Sequence, residues 1–262
     1  MHQAIQKTVS TARTGNEPLA ALNSSLQNLS ASETLEYAIT DLFPQNSALV
    51  SSFGSASVVL LHLVSKIAPD LPVLFIDTGK LFKETLEYRN EIQHAFQLTN
   101  IQTIEPDQIA LTKSDPNGAL WFSQPDACCA IRKVAPLTKA LAPYSAWISG
   151  RKRYQNGQRQ TLSIIEPEGD KFKINPLAFW TPRDVENYIN AHQLPRHPLI
   201  AIGYPSIGCA PCTSQVRTGE DERAGRWRGQ EKTECGIHFT TNQQADPQSA
   251  PADSQRRIKS WA

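Results

Sequence analysis

Residues 48–57 read Ala48-Leu49-Val50-Ser51-Ser52-Phe53-Gly54-Ser55-Ala56-Ser57, and a mostly apolar run continues from Val58 to Ile67. This order predicts a buried strand, a turn of small residues and then a helix. Backbone N–H groups at the N-terminus of a helix bind anions, and small side chains allow a phosphate group to come close. The turn is therefore a candidate phosphate-binding loop, although an ordinary serine-capped turn has the same appearance.

The same pattern repeats downstream. An apolar run over residues 71–77 ends at Asp77, Thr78-Gly79-Lys80 predicts a turn, and apolar residues recur at helical spacing up to Phe96. A third strand is predicted over residues 99–104. Strands that alternate with helices indicate an α/β fold with a mostly parallel sheet and flanking helices. Asp77 would then lie in the crevice where open α/β sheets bind ligands.

The composition excludes two classes of partner. The chain has 262 residues, 40% of them hydrophobic, and a formal net charge of +1. That charge provides no global field for nucleic acid or a membrane surface, so any anion site must be local. The apolar run 58–64 is too short to span a bilayer, and no secretory signal is recognisable. A cytoplasmic protein is predicted, and the oligomeric state stays open, with a homo-oligomer as one alternative.

One local concentration of positive charge follows a predicted strand at residues 146–149. Residues 150–159 read Gly-Arg-Lys-Arg-Tyr-Gln-Asn-Gly-Gln-Arg, with four cations in the nine residues after Gly150. A run of charge is usually a solvated face. One that begins at the end of a strand and contains two glycines favours anion binding instead. Beyond it, a hairpin is predicted from residues 162–166 and 171–174, and a helix that Thr181 caps.

Four of the five cysteines form two pairs, Cys128-Cys129 and Cys209-x-x-Cys212. This pattern does not fit a secreted disulfide framework. Four thiolates suit either a tetrahedral zinc ion or a [4Fe–4S] cluster. Neighbouring side chains diverge, so two adjacent cysteines reach one small ion with difficulty, whereas a cubane offers each its own iron atom. A cluster is favoured over zinc, and over a redox disulfide at Cys209–Cys212, which would leave the other pair unexplained.

The fifth cysteine stands apart in the stretch Lys232-Thr233-Glu234-Cys235-Gly236-Ile237-His238. Its polar neighbours and the flexible glycine argue against a place in the core. Cations upstream, at Arg223 and Arg226, would favour the thiolate, which is the nucleophilic form of cysteine. Cys235 is therefore predicted to be a nucleophile.

Six motifs occur together in this chain. They are Ser51-Ser52-Phe53-Gly54, Asp77-Thr78-Gly79, Cys128-Cys129-x-x-Arg132-Lys133-x-x-Pro136-Leu137, Ser206-Ile207-Gly208-Cys209-x-Pro211-Cys212, residues 219–227 and Glu234-Cys235-Gly236-Ile237-His238. The set resembles the assimilatory phosphosulfate reductases, and among them the cluster-containing adenylylsulfate (APS) reductases. The resemblance implies a fold like that of the adenine-nucleotide α-hydrolases. It also implies the reduction of APS to sulfite and AMP, with electrons from thioredoxin or a related thiol donor.

The resemblance further implies roles for individual residues. Cys235 would attack the sulfur of APS and become a thiosulfonate, with His238 and Lys133 as further catalytic residues and Lys133 between cluster and substrate. The implied cluster ligands are Cys128, Cys129, Cys209 and Cys212. The implied substrate-binding residues are Ser52, Phe53, Gly54, Ser55, Asp77, Thr78, Gly79, Arg153, Arg159, Arg223 and Arg226. The arginines would meet the negative charge of the phosphate leaving group. An electrostatic or structural role is expected for the cluster.

The resemblance also sets the expected domains and leaves alternatives open. The domains are a flexible N-terminal segment (1–30), a nucleotide-binding and cluster-bearing reductase domain (31–228), and a mobile C-terminal segment with the nucleophile and a disordered tail (229–262). The turn after the first strand is closer to the form in phosphoadenylylsulfate (PAPS) reductases, so PAPS or both substrates are alternatives. The cluster cysteines argue against a PAPS-specific enzyme. A non-catalytic, metal-bearing nucleotide-binding regulator is the alternative from another class.

Overall fold

The computed structural model describes residues 16–155, 157–230 and 232–238. The α-helices in these ranges are α1 (Asn16–Leu26), α2 (Ala31–Tyr37), α3 (Ser57–Ile67), α4 (Lys83–Ala95), α5 (Gln108–Ser114), α6 (Leu120–Ser123), α7 (Pro125–Cys129), α8 (Ala135–Leu141) and α9 (Pro182–Ala191). The strands are β1 (Ser47–Ser51), β2 (Val73–Ile76), β3 (Ile101–Ile104), β4 (Ala146–Ile148), β5 (Ile165–Glu168) and β6 (Lys171–Ile174). None of these helices has the length and apolarity that crossing a bilayer requires.

These strands form one sheet in the order β3-β2-β1-β4-β6-β5. Every pair is parallel except β5–β6, which is antiparallel. The predicted mostly parallel sheet with flanking helices is thereby confirmed. The predicted hairpin is confirmed as well, although its first strand begins at Ile165 rather than Leu162. The chain runs from β1 to β2 and β3 on one side and returns to the other side of β1 for β4, so the strand order reverses between β1 and β4.

The centre of the sheet is buried on both faces. Leu49 of β1 is aligned with Val73 of β2 and with Ile148 of β4, and all three side chains are fully buried. Residues 58–64 of α3 are buried all around, because this helix packs between the sheet and its neighbouring helices. The apolar runs of the sequence therefore form the core, and the carboxyl ends of β1, β2 and β4 meet at one edge of the sheet.

Helix α1 lies within the segment that the sequence predicts to be flexible. Its Leu26 is buried in the core. Asn23 Nδ2 donates to Ile165 O at 2.9 Å, and Ile165 N donates to Asn23 Oδ1 at 2.9 Å. This helix is thus attached to the edge strand β5, so the chain from α1 onward packs on the sheet. Predictions for residues 1–15 and for the tail from residue 239 lie outside the described residues.

The helical segment that begins at Pro125 and ends at Leu141 is divided by a turn of π-helix. Helix α7 ends at Cys129, the π turn spans Ala130–Val134, and α8 begins at Ala135. Pro136 lacks an N–H group and cannot donate to the carbonyl four residues earlier, which accounts for a break in the α-helical ladder at this point. Such π turns are frequent at functional sites.

Candidate active site

A cavity of about 210 Å³, called the larger cavity below, opens at the carboxyl ends of three adjacent strands. Val50 and Ser51 line it from β1, Ile76 lines it from β2, and Ser149 and Gly150 line it directly after β4. The cavity lies where the strand order reverses. Ligands of open α/β sheets bind at this position, because the chain leaves adjacent strands in opposite directions and opens a crevice between them.

The predicted phosphate-binding loop forms one wall of the larger cavity. Ser52, Gly54 and Ser55 line it. Helix α3 begins at the same wall, and no side chain of the described residues caps its first N–H groups. Ser55 Oγ donates to Pro205 O at 2.5 Å, which joins the loop to the opposite wall. Uncapped N–H groups together with small side chains favour a phosphate group here.

Phe53 lies in the core rather than at the cavity. Its ring packs edge-on against Phe75, with the ring centroids 5.3 Å apart and the planes at 88°. Its backbone has a φ of 49°, which is unusual for a bulky residue. The buried ring holds the chain in this turn. Phe53 therefore positions its neighbours Ser52 and Gly54, and the sequence-based expectation of a substrate contact does not match its place in the structure.

Five cationic side chains line the larger cavity in the described part of the chain. They are Lys133, Arg151, Arg159, Arg223 and Arg226. Among the lining residues so described, Glu234 is the one acid. This excess of positive charge favours a polyanionic ligand. Three of the four predicted arginines meet here, and Arg151 lines the cavity where Arg153 was expected.

Arg153 points away from the cavity. Its Nε and Nη2 donate to Leu162 O at 2.8 and 2.6 Å, and its guanidinium lies 4.0 Å from the centroid of the Phe179 ring. Neighbouring residues in a short helical turn point in different directions, so only part of a run of cations can face one cavity. The side chain of Arg153 is therefore a structural support in this arrangement.

Arg226 is held in the cavity wall by close packing. Its Nη1 donates to Ile207 O at 3.0 Å, and its guanidinium lies 4.5 Å from the centroid of the Trp227 ring. A Cβ atom on Gly208 would lie 2.2 Å from Arg226 Nη2, so a side chain at this position would displace the guanidinium. Arg226 Nε is buried and has no acceptor within the described ranges. A buried cation with an unsatisfied donor favours an anion nearby.

Arg159 forms a buried ion pair with Glu234. Its Nε and Nη2 donate to the two carboxylate oxygens at 2.6 and 2.8 Å. Glu234 Oε1 also accepts the N–H of Cys235 at 2.9 Å and lies 3.6 Å from Arg223 Nη2. Burial opposes ionisation of Glu234, but the hydrogen bonds and charges of the arginines outweigh it and lower the pKa of this carboxyl to about 2. The segment that carries Cys235 is thus attached to the cavity wall.

Cys235 lines the larger cavity and is only 9% exposed. The thiol of Cys129 lies beside it and lowers the pKa of Cys235, and the charges of Lys133 and Arg226 act in the same direction, against the effect of burial. A lowered pKa favours the nucleophilic thiolate. The residue is buried, contrary to the exposed position that its polar neighbours suggest, but it faces a cavity.

A second, smaller cavity is lined by both cysteine pairs. Its lining includes Cys128, Cys129, Cys209 and Cys212 together with the cations Lys80, Arg132 and Lys133. The described cysteines form no disulfide. In the same ranges, no three His, Cys, Asp or Glu side chains converge closely enough to bind one metal ion. Four thiols with cations around them match the donor set and the charge of an iron–sulfur cluster.

Main-chain hydrogen bonds place the two cysteine pairs beside each other. Cys209 forms a bridge with Leu81, which follows β2, and Ala210 N donates to Lys80 O at 2.8 Å. On the other side, Trp227 N donates to Cys212 O at 3.0 Å. The Cys-x-x-Cys segment is therefore fixed between the loop after β2 and the chain at residue 227, opposite the end of α7.

The turn Asp77-Thr78-Gly79 supports the cysteine cavity. Thr78 Oγ1 lies 3.3 Å from Cys209 Sγ, and Arg132 Nη1 donates to Thr78 O at 2.8 Å. Asp77 Oδ1 accepts the N–H of Gly79 at 2.9 Å, and Gly79 has a φ of 67°, which favours glycine. These three residues do not line the larger cavity. Their place differs from the substrate contact expected from the sequence.

Lys133 lines both cavities. Burial opposes its charged form, but the nearby side chains of Cys235, Cys209 and Cys129 raise its pKa. The ammonium group is therefore charged and lies between the cysteine pairs and the larger cavity. Because Lys133 is four residues after Cys129, helical geometry places both side chains on one face.

Among the predicted catalytic residues, His238 has a side chain that lies outside the described part of the structure. Arg151, Gln155 and Glu234 line the larger cavity without having been predicted. Their signals were present in the sequence, because Arg151 opens the run of cations and Glu234 directly precedes the lone cysteine.

A ligand crevice at the reversal of a parallel sheet, with a phosphate loop at a helix N-terminus, defines a nucleotide-binding α/β protein. Residues 46–215 match the family model described as the phosphoadenosine phosphosulfate reductase domain. A protein from Mesorhizobium japonicum named adenosine 5'-phosphosulfate reductase is 50% identical over 84% of this chain and 87% of its own. One of the same name from Chelativorans is 46% identical over 81% of this chain and 87% of its own.

Solved structures agree with this grouping. The phosphoadenylyl-sulfate (PAPS) reductase of Candida auris, in a phosphate complex, superposes with a TM-score of 0.65 at 30% identity, over 77% of this chain and 98% of the other. FMN adenylyltransferase from Candida glabrata shares the fold with a TM-score of 0.51 at 16% identity, over 80% and 78%. The chain belongs to the phosphoadenosine phosphosulfate reductase domain family, and within it to the group whose curated members are named adenosine 5'-phosphosulfate reductase.

Proposed function

We propose that this protein reduces adenylylsulfate (APS) to sulfite and AMP in sulfate assimilation, with Cys235 as the nucleophile. The observation that carries the proposal is the position of Cys235 in a cation-lined cavity that also contains the phosphate-binding loop. The curated relatives named adenosine 5'-phosphosulfate reductase support APS as the substrate.

In the first step, the Cys235 thiolate forms a bond to the sulfur atom of APS. The bond between that sulfur and the bridging oxygen breaks, and its electron pair leaves with the phosphate of AMP. The product is a thiosulfonate on Cys235. Lys133, Arg151 and Arg226 line the cavity and stabilise the negative charge that develops on the leaving phosphate.

In the second step, a thiolate of an external dithiol such as thioredoxin attacks Cys235 Sγ and sulfite leaves with the electron pair of the broken S–S bond. The second thiol of the donor then resolves the mixed disulfide, and Cys235 returns to the thiol. Two electrons thus pass from the dithiol to the sulfonate sulfur. This chemistry needs reduced thiols, which supports a cytoplasmic location.

Cys128, Cys129, Cys209 and Cys212 would hold a [4Fe–4S] cluster. The support is the donor set: four thiols without a disulfide line one cavity with three cations. When bound, the cluster would contribute a fixed charge and join the two cysteine segments. With Cys129 as a ligand, Lys133 and Arg226 are the groups that favour the Cys235 thiolate.

The test is to incubate the purified full-length protein with APS, without a reductant and without oxygen. The peptide that contains Cys235 should gain the mass of one SO₃ group, and thioredoxin should then release sulfite. The Cys235→Ser variant should do neither. Sulfite production by that variant would refute the mechanism and favour a different role for the chain.

The choice between APS and PAPS needs a separate measurement. The ratio of kcat/KM values for the two substrates should favour APS by at least about tenfold. One of the matching solved structures is a PAPS reductase, which makes PAPS the specific alternative. Equal values, or a preference for PAPS, would contradict the proposed substrate and leave the role of Cys235 intact.

A further inference from the structure

The guanidinium group of Arg159 is committed to protein partners, although the residue lines the larger cavity. Its Nε and Nη2 donate to both oxygens of Glu234, and its Nη1 donates to Gln155 Oε1. A bidentate pair of this kind fixes the orientation of both partners. These contacts use three of the five N–H donors of the guanidinium.

The main chain of the nucleophile is attached to this pair. The N–H of Cys235 donates to Glu234 Oε1 at 2.9 Å, and the same oxygen accepts from Arg159 at 2.8 Å. One residue earlier, Thr233 O accepts from Arg223 Nη2 at 3.2 Å. Three consecutive residues of the segment that carries the nucleophile are therefore held by two arginines of the cavity wall.

The environment makes this attachment rigid. The side chains of Arg159 and Glu234 are 8% and 5% exposed, so water competes little for their hydrogen bonds. Displacement of a nucleophile by a fraction of its reaction distance lowers the rate steeply, because attack requires aligned atoms in close contact. A carboxylate fixed in this way can control where Cys235 Sγ lies without touching the substrate.

We propose that Arg159 and Glu234 are positioning residues: their ion pair fixes the main chain at Cys235 and so directs Cys235 Sγ toward the sulfur of the substrate. Arg159 is then not a ligand of the substrate phosphate, a role that falls to the other cations of the cavity. The proposal rests on the proposed function only in taking Cys235 as the nucleophile.

The competing role for Arg159 is direct phosphate binding, and the two roles predict different effects of Arg159→Lys. If Arg159 binds phosphate, loss of its planar fork should weaken the binding of AMP. If the pair positions Cys235, the same change should leave the affinity for AMP nearly unaltered and slow the transfer of the sulfonate group.

The experiment measures two quantities for the full-length enzyme with its cluster: the dissociation constant of AMP, and the single-turnover rate of sulfonate transfer to Cys235. For both Glu234→Gln and Arg159→Lys, which loses the planar fork but keeps the charge, the transfer rate should fall about 10- to 100-fold. The dissociation constant should change less than about threefold for Arg159→Lys.

Glu186→Gln is the matched control, because Glu186 forms a bidentate pair with Arg196 on the exposed surface of α9. It should match the wild type in both measurements. Iron content and thermal unfolding show whether each variant is folded, and Glu234→Asp provides a second test that retains the charge. Weaker AMP binding by Arg159→Lys, or an unchanged transfer rate in folded Glu234 variants, would overturn the proposal. Absence of transfer in the wild type would instead contradict the proposed function.

Discussion

The thiols of Cys235 and Cys129 lie beside each other. The proposed nucleophile therefore neighbours one of the four proposed cluster ligands, and Cys235 lines the larger cavity while Cys129 lines the smaller one. Lys133 lines both cavities. Lys133 therefore separates the proposed cluster ligands from the proposed substrate cavity. This placement indicates that the cysteine pairs influence the reaction through electrostatics rather than through direct contact with the substrate.

Replacement of Lys133 tests this arrangement. Lys133→Met should lower kcat about 100-fold, because it removes a fixed positive charge beside the attacking and leaving groups. Steady-state turnover with APS and thioredoxin measures the effect, and iron content checks that the cysteine pairs are intact. Lys139→Met, on the exposed part of α8, is the control and should behave like the wild type. Full turnover by Lys133→Met would contradict an electrostatic role for this lysine.

The cysteines should separate into two groups by iron content. Cys209→Ser and Cys212→Ser should each lose most of the iron and the visible absorbance of the protein, since a cubane needs its thiolate ligands. Cys235→Ser should keep both and lose turnover. Iron analysis and visible spectra of anaerobically purified proteins make the comparison. Retention of the cluster by Cys209→Ser would show that the ligand assignment is wrong.

A side chain at position 208 should displace Arg226. Gly208→Ala would place a Cβ atom 2.2 Å from Arg226 Nη2, so Arg226 must move from the cavity wall. The affinity for AMP should fall about tenfold with the loss of this contact. Gly157→Ala is a suitable control, because no atom of another described residue, apart from its chain neighbours, lies within 4 Å of its added Cβ. Equal AMP affinities, measured by calorimetry, would indicate that Arg226 does not bind the nucleotide.

Two arginines that the sequence treats alike should differ in effect. Arg226→Ala should raise the KM for APS about tenfold or more, because Arg226 lines the cavity. Arg153→Ala should have a smaller effect on KM, because its guanidinium binds Leu162 O and stacks on Phe179. Steady-state kinetics of both variants test the difference. An equal or larger effect of Arg153→Ala would mean that Arg153 reaches the substrate.

Buried Lys152 should make stability depend on pH. Its side chain is 1% exposed, and burial together with the charge of Arg159 lowers its pKa to about 7, while Glu222 acts in the opposite direction. In the unfolded chain the pKa of lysine is about 10.4. Between these two pKa values the folded protein therefore binds fewer protons than the unfolded chain. Its free energy of unfolding consequently rises with pH across that window.

Lys152→Met should reduce this slope and raise the free energy of unfolding at neutral pH by ~1–2 kcal/mol, since a charge no longer has to be buried. Urea unfolding at neutral and at alkaline pH measures the free energy of unfolding and its dependence on pH. Lys139→Met, at an exposed position, should leave the slope unaltered. A Lys152→Met protein with the wild-type pH slope would show that another group is responsible.

The local elements follow from the sequence because each depends on nearby residues. The strand, small-residue turn and helix at 47–67 needed only apolar runs and a serine-rich turn between them. The alternation of strands and helices was enough to indicate a mostly parallel sheet, since parallel strands require helical connections. The cysteine pairs and the lone cysteine also divide into groups by spacing alone.

Only the tertiary structure decided which side chains meet. Within one run of cations, Arg151 and Arg159 face the larger cavity while Arg153 turns to Leu162, because local backbone geometry and packing set the direction of each side chain. Phe53 and Thr78 belong to motifs that suggest substrate contact, yet one is buried in the core and the other touches Cys209. Residue type and spacing determined the chemistry available to this protein, and the packing of distant segments determined its geometry, since a contact such as Cys129–Cys235 depends on every element folded between its two members.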